Sequence, residues 1–99
     1  MDRDDKGRAR LGGWDLEQVL AETGITTPAY VYDVGAMAAE ARDLAAGFGD
    51  TRHLIAYAIK ANSAAGVVSA LAEAGCGAEV GSLAELRVAR ACGIEPQRR

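Results

Sequence analysis

Short, unbroken apolar runs alternate in this sequence with longer stretches whose apolar residues recur at helical spacing. The clearest short run is Leu54 to Lys60, where apolar residues lead directly into one lysine. A run of this length is typical of a strand buried on both faces, as in a parallel sheet. A second short strand is predicted over Ala78 to Gly81. An earlier strand is predicted over Ala29 to Tyr32, because aromatic and β-branched residues favour that conformation.

Helical spacing predicts four helices, each with a residue that can start it. Asp15 is expected to cap the first helix, with Gln18 in a variant of the capping box, and Asp33 to cap the second. The third helix is expected to start at Ser63 and the fourth at Ser82. The residues expected to face the core are Leu16, Val19, Leu20 and Thr23 in the first helix, Met37, Ala41, Leu44, Ala45 and Phe48 in the second, and Val67, Val68, Leu71 and Ala72 in the third.

The order strand, helix, strand, helix with short connections is the pattern of a parallel α/β sheet. Both strand–helix units end alike, with a cysteine beside a glycine, at Gly75 and Gly93. Two such units do not make a closed fold, because a parallel strand needs neighbours on both sides and helices on its faces. Residues 95–99 stop where a third strand is expected, so the sequence is interpreted as a truncated α/β domain.

Composition and charge exclude several classes of function. The chain has 99 residues, enough for one small domain, and its net charge of −3 argues against a nucleic-acid partner, which would need a basic patch. The charges of Asp2 to Arg10 have mixed signs, so residues 1–13 are expected to form a disordered, solvated tail. No apolar run approaches the roughly 20 residues that span a bilayer. The N-terminus also lacks a secretory signal, so we expect a cytoplasmic protein without a membrane partner.

The cysteines and the histidine do not indicate a metal site. Cys76 and Cys92 lie far apart, and with a single histidine they do not complete the usual four-ligand zinc set. Each is expected to be a free thiol in a small core site. His53 lies before its predicted strand, away from the carboxyl end where chemistry is expected, and is interpreted as a surface or loop residue.

Lys60 carries the main candidate chemistry, because it lies at the carboxyl end of a predicted strand, where open sheets and barrels place their sites. One interpretation is a lysine that ends the strand and reaches solvent. The other is a nucleophilic amine, since apolar surroundings favour loss of its proton and the free amine attacks a carbonyl to give a Schiff base. Spacing alone does not decide between the two.

Three sequence blocks together resemble the start of the fold-type III pyridoxal-phosphate decarboxylases. They are Thr27-Pro-Ala-Tyr-Val-Tyr-Asp33, Tyr57-Ala-Ile-Lys-Ala-Asn62 and Gly77-Ala-Glu-Val-Gly-Ser-Leu-Ala-Glu-Leu86. They occur in the family's order and at about its spacing, over roughly residues 14–96. The second block is the most specific, and it is most similar to the diaminopimelate decarboxylase branch. Ornithine decarboxylases usually place a cysteine after the lysine, and alanine racemases usually follow it with Ala-Asp.

The resemblance implies a fold and an assembly. The chain is expected to be α/β, an N-terminal fragment of a (β/α)8 TIM-type barrel with about two βα units after a lead-in strand and helices. Residues 14–99 would then be a partial cofactor-binding barrel domain without the family's C-terminal β domain, and inactive alone. The complete enzyme would act on a small-molecule amino-acid substrate as a homodimer. Two alternatives stay open: another decarboxylase or racemase of this fold, and a non-catalytic α/β module that binds a partner through its strand edges.

The resemblance also implies roles for individual residues. Lys60 matches the lysine that forms the Schiff base with pyridoxal 5'-phosphate, and Ala58 matches a residue close to that cofactor. Glu79 matches an acidic position near the lysine and the cofactor ring, where the family usually has the shorter aspartate. Glu85 matches a family glutamate, although a capping box with Ser82 would equally explain it.

Overall fold

The computed structural model describes all 99 residues, and these form two compact units, residues 1–33 and 34–99. This division falls after Asp33, whereas the sequence suggests a boundary after Gly13. Both units mix helices with short strands, as expected of an α/β chain. None of the helices combines the length and the apolar character needed to cross a bilayer.

The first unit begins with a small antiparallel sheet instead of the expected disordered tail. Strand β1 (Asp2–Arg3) pairs with β2 (Ala9–Leu11), and β2 pairs with β3 (Trp14–Asp15). The mixed charges pair across this sheet, with Arg10 Nη2 lying 3.1 Å from Asp2 Oδ2. At the β1–β2 turn, a hydrogen bond from the backbone N–H of Arg8 holds the pKa of Asp4 below its ordinary value. Residues that their charge marks as solvated therefore form a short sheet and pair their opposite charges.

Helix α1 (Leu16–Thr23) starts and ends as predicted. The Asp15 carboxylate accepts hydrogen bonds from the backbone N–H groups of Glu17 and Gln18, and Gly24 ends the helix at a φ of 72°. The capping box is incomplete, because the Gln18 side chain donates to Glu22 and not to the cap. The strand predicted over Ala29 to Tyr32 is wrong: no other strand pairs with this segment, and it stays outside regular structure.

The second unit contains one parallel strand pair with helices against one of its faces. Strand β4 (Ala56–Ala58) pairs with β5 (Gly77–Glu79), and the chain enters one 3₁₀ turn, Ile59–Ala61, directly after β4. The strand predicted over Leu54 to Lys60 is therefore too long. It is also buried on only one face, since Leu54 is 52% exposed and Ala56 is exposed. No further strand pairs with β4 or β5, and no α-helix packs on the second face.

Three helices complete the unit: α2 (Val34–Ala46), α3 (Ala65–Glu73) and α4 (Leu83–Ala91). The inward face of α3 is confirmed, because Val67, Val68 and Leu71 are buried. The inward face of α2 is only partly confirmed. Its residues Met37 and Ala41 pack against the core, but Leu44 and Phe48 of the predicted face are largely exposed, because no element of the unit covers that side of the helix.

The core consists of two clusters on the helical face of the strands. The first, called here the sheet cluster, is formed by Ile59, Val68, Ala78, Ala89 and Ile94. The second, called here the helix cluster, is formed by Val67, Leu71 and Cys76. Tyr57 is the one partly buried residue that packs against both clusters. Both cysteines are free thiols as predicted, and burial raises the pKa of Cys76.

Helices α3 and α4 end in the same Schellman motif, which explains their similar sequences. After α3 the N–H of Cys76 donates to the carbonyl of Leu71, and after α4 the N–H of Ile94 donates to that of Ala89. The residues that correspond are therefore Gly75 and Gly93, with positive φ values of 97° and 83°. A side chain there would be strained, so glycine at these two positions fixes where each unit turns.

Gly77 is tightly surrounded, and its replacement by alanine is expected to destabilise the second unit by about 1–3 kcal/mol. A Cβ at this position would lie 2.5 Å from the carbonyl oxygen of Arg98 and 3.1 Å from Leu54 Cδ1. The Arg98 backbone has to move, because the first of these neighbours is not a flexible side chain. Urea denaturation followed by far-UV circular dichroism measures the change.

Gly66 provides the matched control for this prediction. It lies in α3, and a Cβ there meets no atom within 4 Å. Gly66→Ala should therefore leave stability unchanged or raise it by up to about 1 kcal/mol through helix propensity. Equal stability of Gly77→Ala and the wild type would contradict the packing described around Gly77.

Candidate functional site

The candidate site lies where the two parallel strands end. Register pairs Ala58 with Glu79, the last residues of β4 and β5. Residues that are paired on neighbouring strands point to the same face of the sheet, so the Ala58 and Glu79 side chains share one face. Tyr57 and Ala78, one residue earlier in each strand, pack on the helical face. Ala58 and Glu79 therefore lie on the face that the helices leave uncovered.

Lys60 lies at the same edge, two residues beyond Ala58, in the middle of the 3₁₀ turn Ile59–Ala61. The residue before it, Ile59, is fully buried in the sheet cluster. The N–H of Asn62 donates to the Ile59 carbonyl at 3.1 Å and closes the turn. An anchored backbone thus carries an exposed lysine side chain.

Asn62 links this turn to the next helix. Its side-chain Oδ1 accepts a hydrogen bond from the backbone N–H of Ala64 at 3.0 Å, just before α3. Its carbonyl oxygen accepts a hydrogen bond from the Tyr57 hydroxyl at 2.9 Å. The place of Tyr57 in an apolar run indicates packing and gives no sign of this bond. An Asn three residues before the first residue of a helix is a turn signal that points to the first contact, but not to the second.

Lys60 is exposed, whereas the interpretation of Lys60 as a nucleophile assumed apolar surroundings. Both Lys60 and Glu79 are exposed, and no side chain of this unit encloses them. On the uncovered face the strands present the methyl groups of Ala56 and Ala58 beside the carboxylate of Glu79. Two small side chains and an exposed amine at this edge suit a carbonyl cofactor, since an amine can bond an aldehyde.

An open cleft borders the two strands of the second unit. Its lining consists of Leu54, Ala56, Ala78, Glu79, Val80 and the chain segment Gln97–Arg99. The 3₁₀ turn Pro96–Arg98 lies over Gly77, where the Arg98 guanidinium donates to the Gly75 carbonyl. The cleft therefore reaches from the amino ends of the strands to the Glu79 carboxylate.

Glu85 forms the capping box at the start of α4. The Ser82 hydroxyl accepts from the Glu85 N–H at 3.1 Å and donates to Glu85 Oε2 at 3.2 Å. The second carboxylate oxygen, Oε1, accepts from the N–H of Gly81 at 3.1 Å. The Glu85 side chain thus ties the loop after β5 to the helix. Capping of α4 therefore explains the presence of Glu85 at this position. The same bonds fix the loop that follows Glu79.

His53 lies before β4, in a loop, as the sequence predicts. It is exposed, its Nδ1 lies 2.7 Å from the carbonyl oxygen of Thr51, and its ring stacks on Phe48 at 4.8 Å between centroids. Cys76 lies on the opposite side of the sheet from the candidate site, in the helix cluster. Neither side chain belongs to the edge that carries Lys60.

Fold and site together define an α/β domain with a lysine, a small residue and a carboxylate at the carboxyl ends of parallel strands. The family model described as "Pyridoxal-dependent decarboxylase, pyridoxal binding domain" matches residues 34–98. The chain belongs to this family, and the resemblance found in the sequence is confirmed. The family's cofactor is pyridoxal phosphate.

Curated relatives match a larger part of the chain. It is 36% identical over 86 residues to a diaminopimelate decarboxylase of Zymomonas mobilis, covering 84% of this chain and 20% of that protein. It is 39% identical over 72 residues to a diaminopimelate decarboxylase of Vibrio cholerae, covering 73% of this chain and 17% of that protein. A diaminopimelate decarboxylase of Pseudomonas aeruginosa is 39% identical over 70 residues. The chain thus spans about a fifth of the length of the relatives it matches.

Proposed function

We propose that this chain supplies the cofactor-bonding lysine, Lys60, of a pyridoxal-phosphate decarboxylase whose substrate is meso-diaminopimelate and whose products are L-lysine and carbon dioxide. The observation that carries the proposal is the position of the exposed Lys60, two residues beyond the paired residues Ala58 and Glu79 at one edge of a parallel strand pair. The names of the matched relatives support the substrate.

Each of the three residues has a proposed task. The deprotonated Lys60 Nζ would hold the cofactor at the strand edge through a covalent bond to its aldehyde carbon, formed with loss of water. The methyl side chain of Ala58 leaves room for the ring, and Glu79 sets a negative charge at the same edge. When bound, pyridoxal phosphate accepts the electron pair released as carbon dioxide leaves the substrate.

We also propose the larger architecture in which these tasks are carried out. Residues 14–99 would form part of a (β/α)8 TIM-type barrel, with the uncovered face of β4 and β5 toward the barrel interior. Two features support this: the parallel register of the strands, and helices on one face only. The complete enzyme would be a homodimer, and this chain alone would bond the cofactor without decarboxylating an amino acid.

Reductive trapping tests the proposed role of Lys60. The chain has only two lysines, Lys6 and Lys60, so each molecule carries an internal control. After incubation with pyridoxal phosphate and reduction with borohydride, peptide mapping by mass spectrometry should find the adduct mainly on Lys60. Lys6 is exposed in the first unit and reports the reactivity of an ordinary lysine. Equal modification of both lysines would refute the proposed function and favour a non-catalytic module.

A further inference from the structure

The Tyr57 side chain connects the core of the second unit to the turn that carries Lys60. Its ring is half-buried and packs against both the sheet cluster and the helix cluster. A ring held on two sides has little freedom, so its hydroxyl has a nearly fixed position. That hydroxyl donates to the Asn62 carbonyl at 2.9 Å.

Lys60 lies inside the segment that this bond closes. The chain leaves β4 at Ala58, passes Lys60 in the 3₁₀ turn and returns to the Tyr57 hydroxyl at Asn62. On one side of Lys60 the backbone is held by the buried side chain of Ile59. On the other side, the Tyr57 hydroxyl is the only side-chain group that forms a hydrogen bond with the backbone of the segment.

We propose that Tyr57 is a positioning residue for Lys60: by holding the Asn62 carbonyl, its hydroxyl fixes the turn that carries the Lys60 amine at the strand edge. This inference rests on the proposed function of Lys60. Tyr57 itself lies on the helical face, so it acts through the backbone and not by touching the cofactor.

The expected change in Lys60 reactivity follows from the net contribution of one such hydrogen bond to stability. Its loss changes the population of the closed turn by about two- to tenfold. Bonding of an aldehyde that must also fit the strand edge depends on that population. Reaction of the amine with a small reagent that approaches from any side does not.

The test uses Tyr57→Phe, which keeps the ring and removes only the hydroxyl, with Tyr30→Phe as the matched control. Tyr30 is 90% exposed and lies in the first unit. The first readout is the ratio of Lys60 to Lys6 adducts after pyridoxal phosphate and borohydride. The second is the same ratio after brief acetylation with acetic anhydride. Far-UV circular dichroism reports folding.

For Tyr57→Phe we expect the pyridoxal ratio to fall by about two- to tenfold while the acetylation ratio stays unchanged. Tyr30→Phe should change neither ratio. An unchanged pyridoxal ratio in Tyr57→Phe overturns the inference, and so does an equal fall in both ratios, since that would be general loosening. If the wild type itself shows no preference for Lys60, the proposed function fails before the variant is compared.

A second variant covers the case in which Tyr57→Phe loses its helical signal. Asn62→Ala keeps the Tyr57 ring and its acceptor carbonyl, but removes the bond to the Ala64 N–H that holds the other end of the segment. Because the Tyr57 hydroxyl bond stays in this variant, its pyridoxal ratio should remain within about twofold of the wild type. A larger fall with unchanged acetylation overturns the inference, since the turn would then be held by the Asn62 side chain and not by Tyr57.

Discussion

Replacing Lys60 by arginine is expected to remove trapping of pyridoxal phosphate at that position and to lower the total adduct by at least about tenfold. Arginine keeps the positive charge, but its guanidinium stays protonated and does not bond an aldehyde as an amine does. The fold should be unaffected, because Lys60 is exposed and no hydrogen bond or ion pair of its side chain is present. Intact-mass spectrometry after borohydride reduction gives the adduct yield.

Lys6→Arg is the control for this variant. Lys6 lies in the β1–β2 turn, where only its backbone N–H is engaged, through Asp4. Its replacement should leave the adduct yield close to that of the wild type. If Lys60→Arg and Lys6→Arg lower the yield equally, the reaction reports general lysine modification, and the assignment of Lys60 is wrong.

The shared edge of Lys60, Ala58 and Glu79 follows from information within the sequence. A strand–helix–strand order with short loops favours parallel strands, and parallel strands bring their carboxyl ends to one edge. Spacing then places Ala58 at the end of the first strand and Glu79 at the end of the second. Their roles toward a cofactor remain predictions, because they rest on the family and on the trapping experiments.

The Tyr57 hydroxyl bond could not be predicted in the same way. A tyrosine in an apolar run indicates packing, and the structure bears this out through both core clusters. Where its hydroxyl points depends on the direction in which the chain leaves β4. That direction is set by the 3₁₀ turn at Ile59–Ala61. The apolar run predicts a strand up to Lys60 and therefore does not indicate the turn.

Burial and strand length were the least predictable features, because they depend on partners distant in the sequence. Leu54 belongs to an apolar run but remains half exposed, since no α-helix packs on its face. The segment Ala29 to Tyr32 has high β propensity and forms no strand, because no neighbour offers backbone hydrogen bonds. Residues 1–13 show the opposite deviation: a disordered segment is expected, but a short sheet forms, in which charges of opposite sign pair.

Ile59→Ala is expected to destabilise the second unit by about 2–5 kcal/mol, the range found for removing a large aliphatic side chain from a core. Ile59 is completely buried, and its neighbours in the sheet cluster come from β5, α3, α4 and the segment after α4. The cavity would therefore lie between elements that cannot all move inward together. Natural domains have only about 0.05–0.15 kcal/mol of stability per residue, so this single change should unfold much of the population.

Two comparison variants make the Ile59 prediction specific. Ile59→Val removes one methylene group and should cost only about 0.5–1.5 kcal/mol, whereas Leu83→Ala, at a position 62% exposed on α4, should change stability by less than about 0.5 kcal/mol. Far-UV circular dichroism in urea is the suitable measurement, since the only tryptophan, Trp14, belongs to the first unit and its fluorescence reports that unit. Similar midpoints for Ile59→Ala and Leu83→Ala would contradict a core centred on Ile59. Because Ile59 directly precedes Lys60, trapping at Lys60 should fall together with the helical signal in Ile59→Ala, while Ile59→Val should keep both.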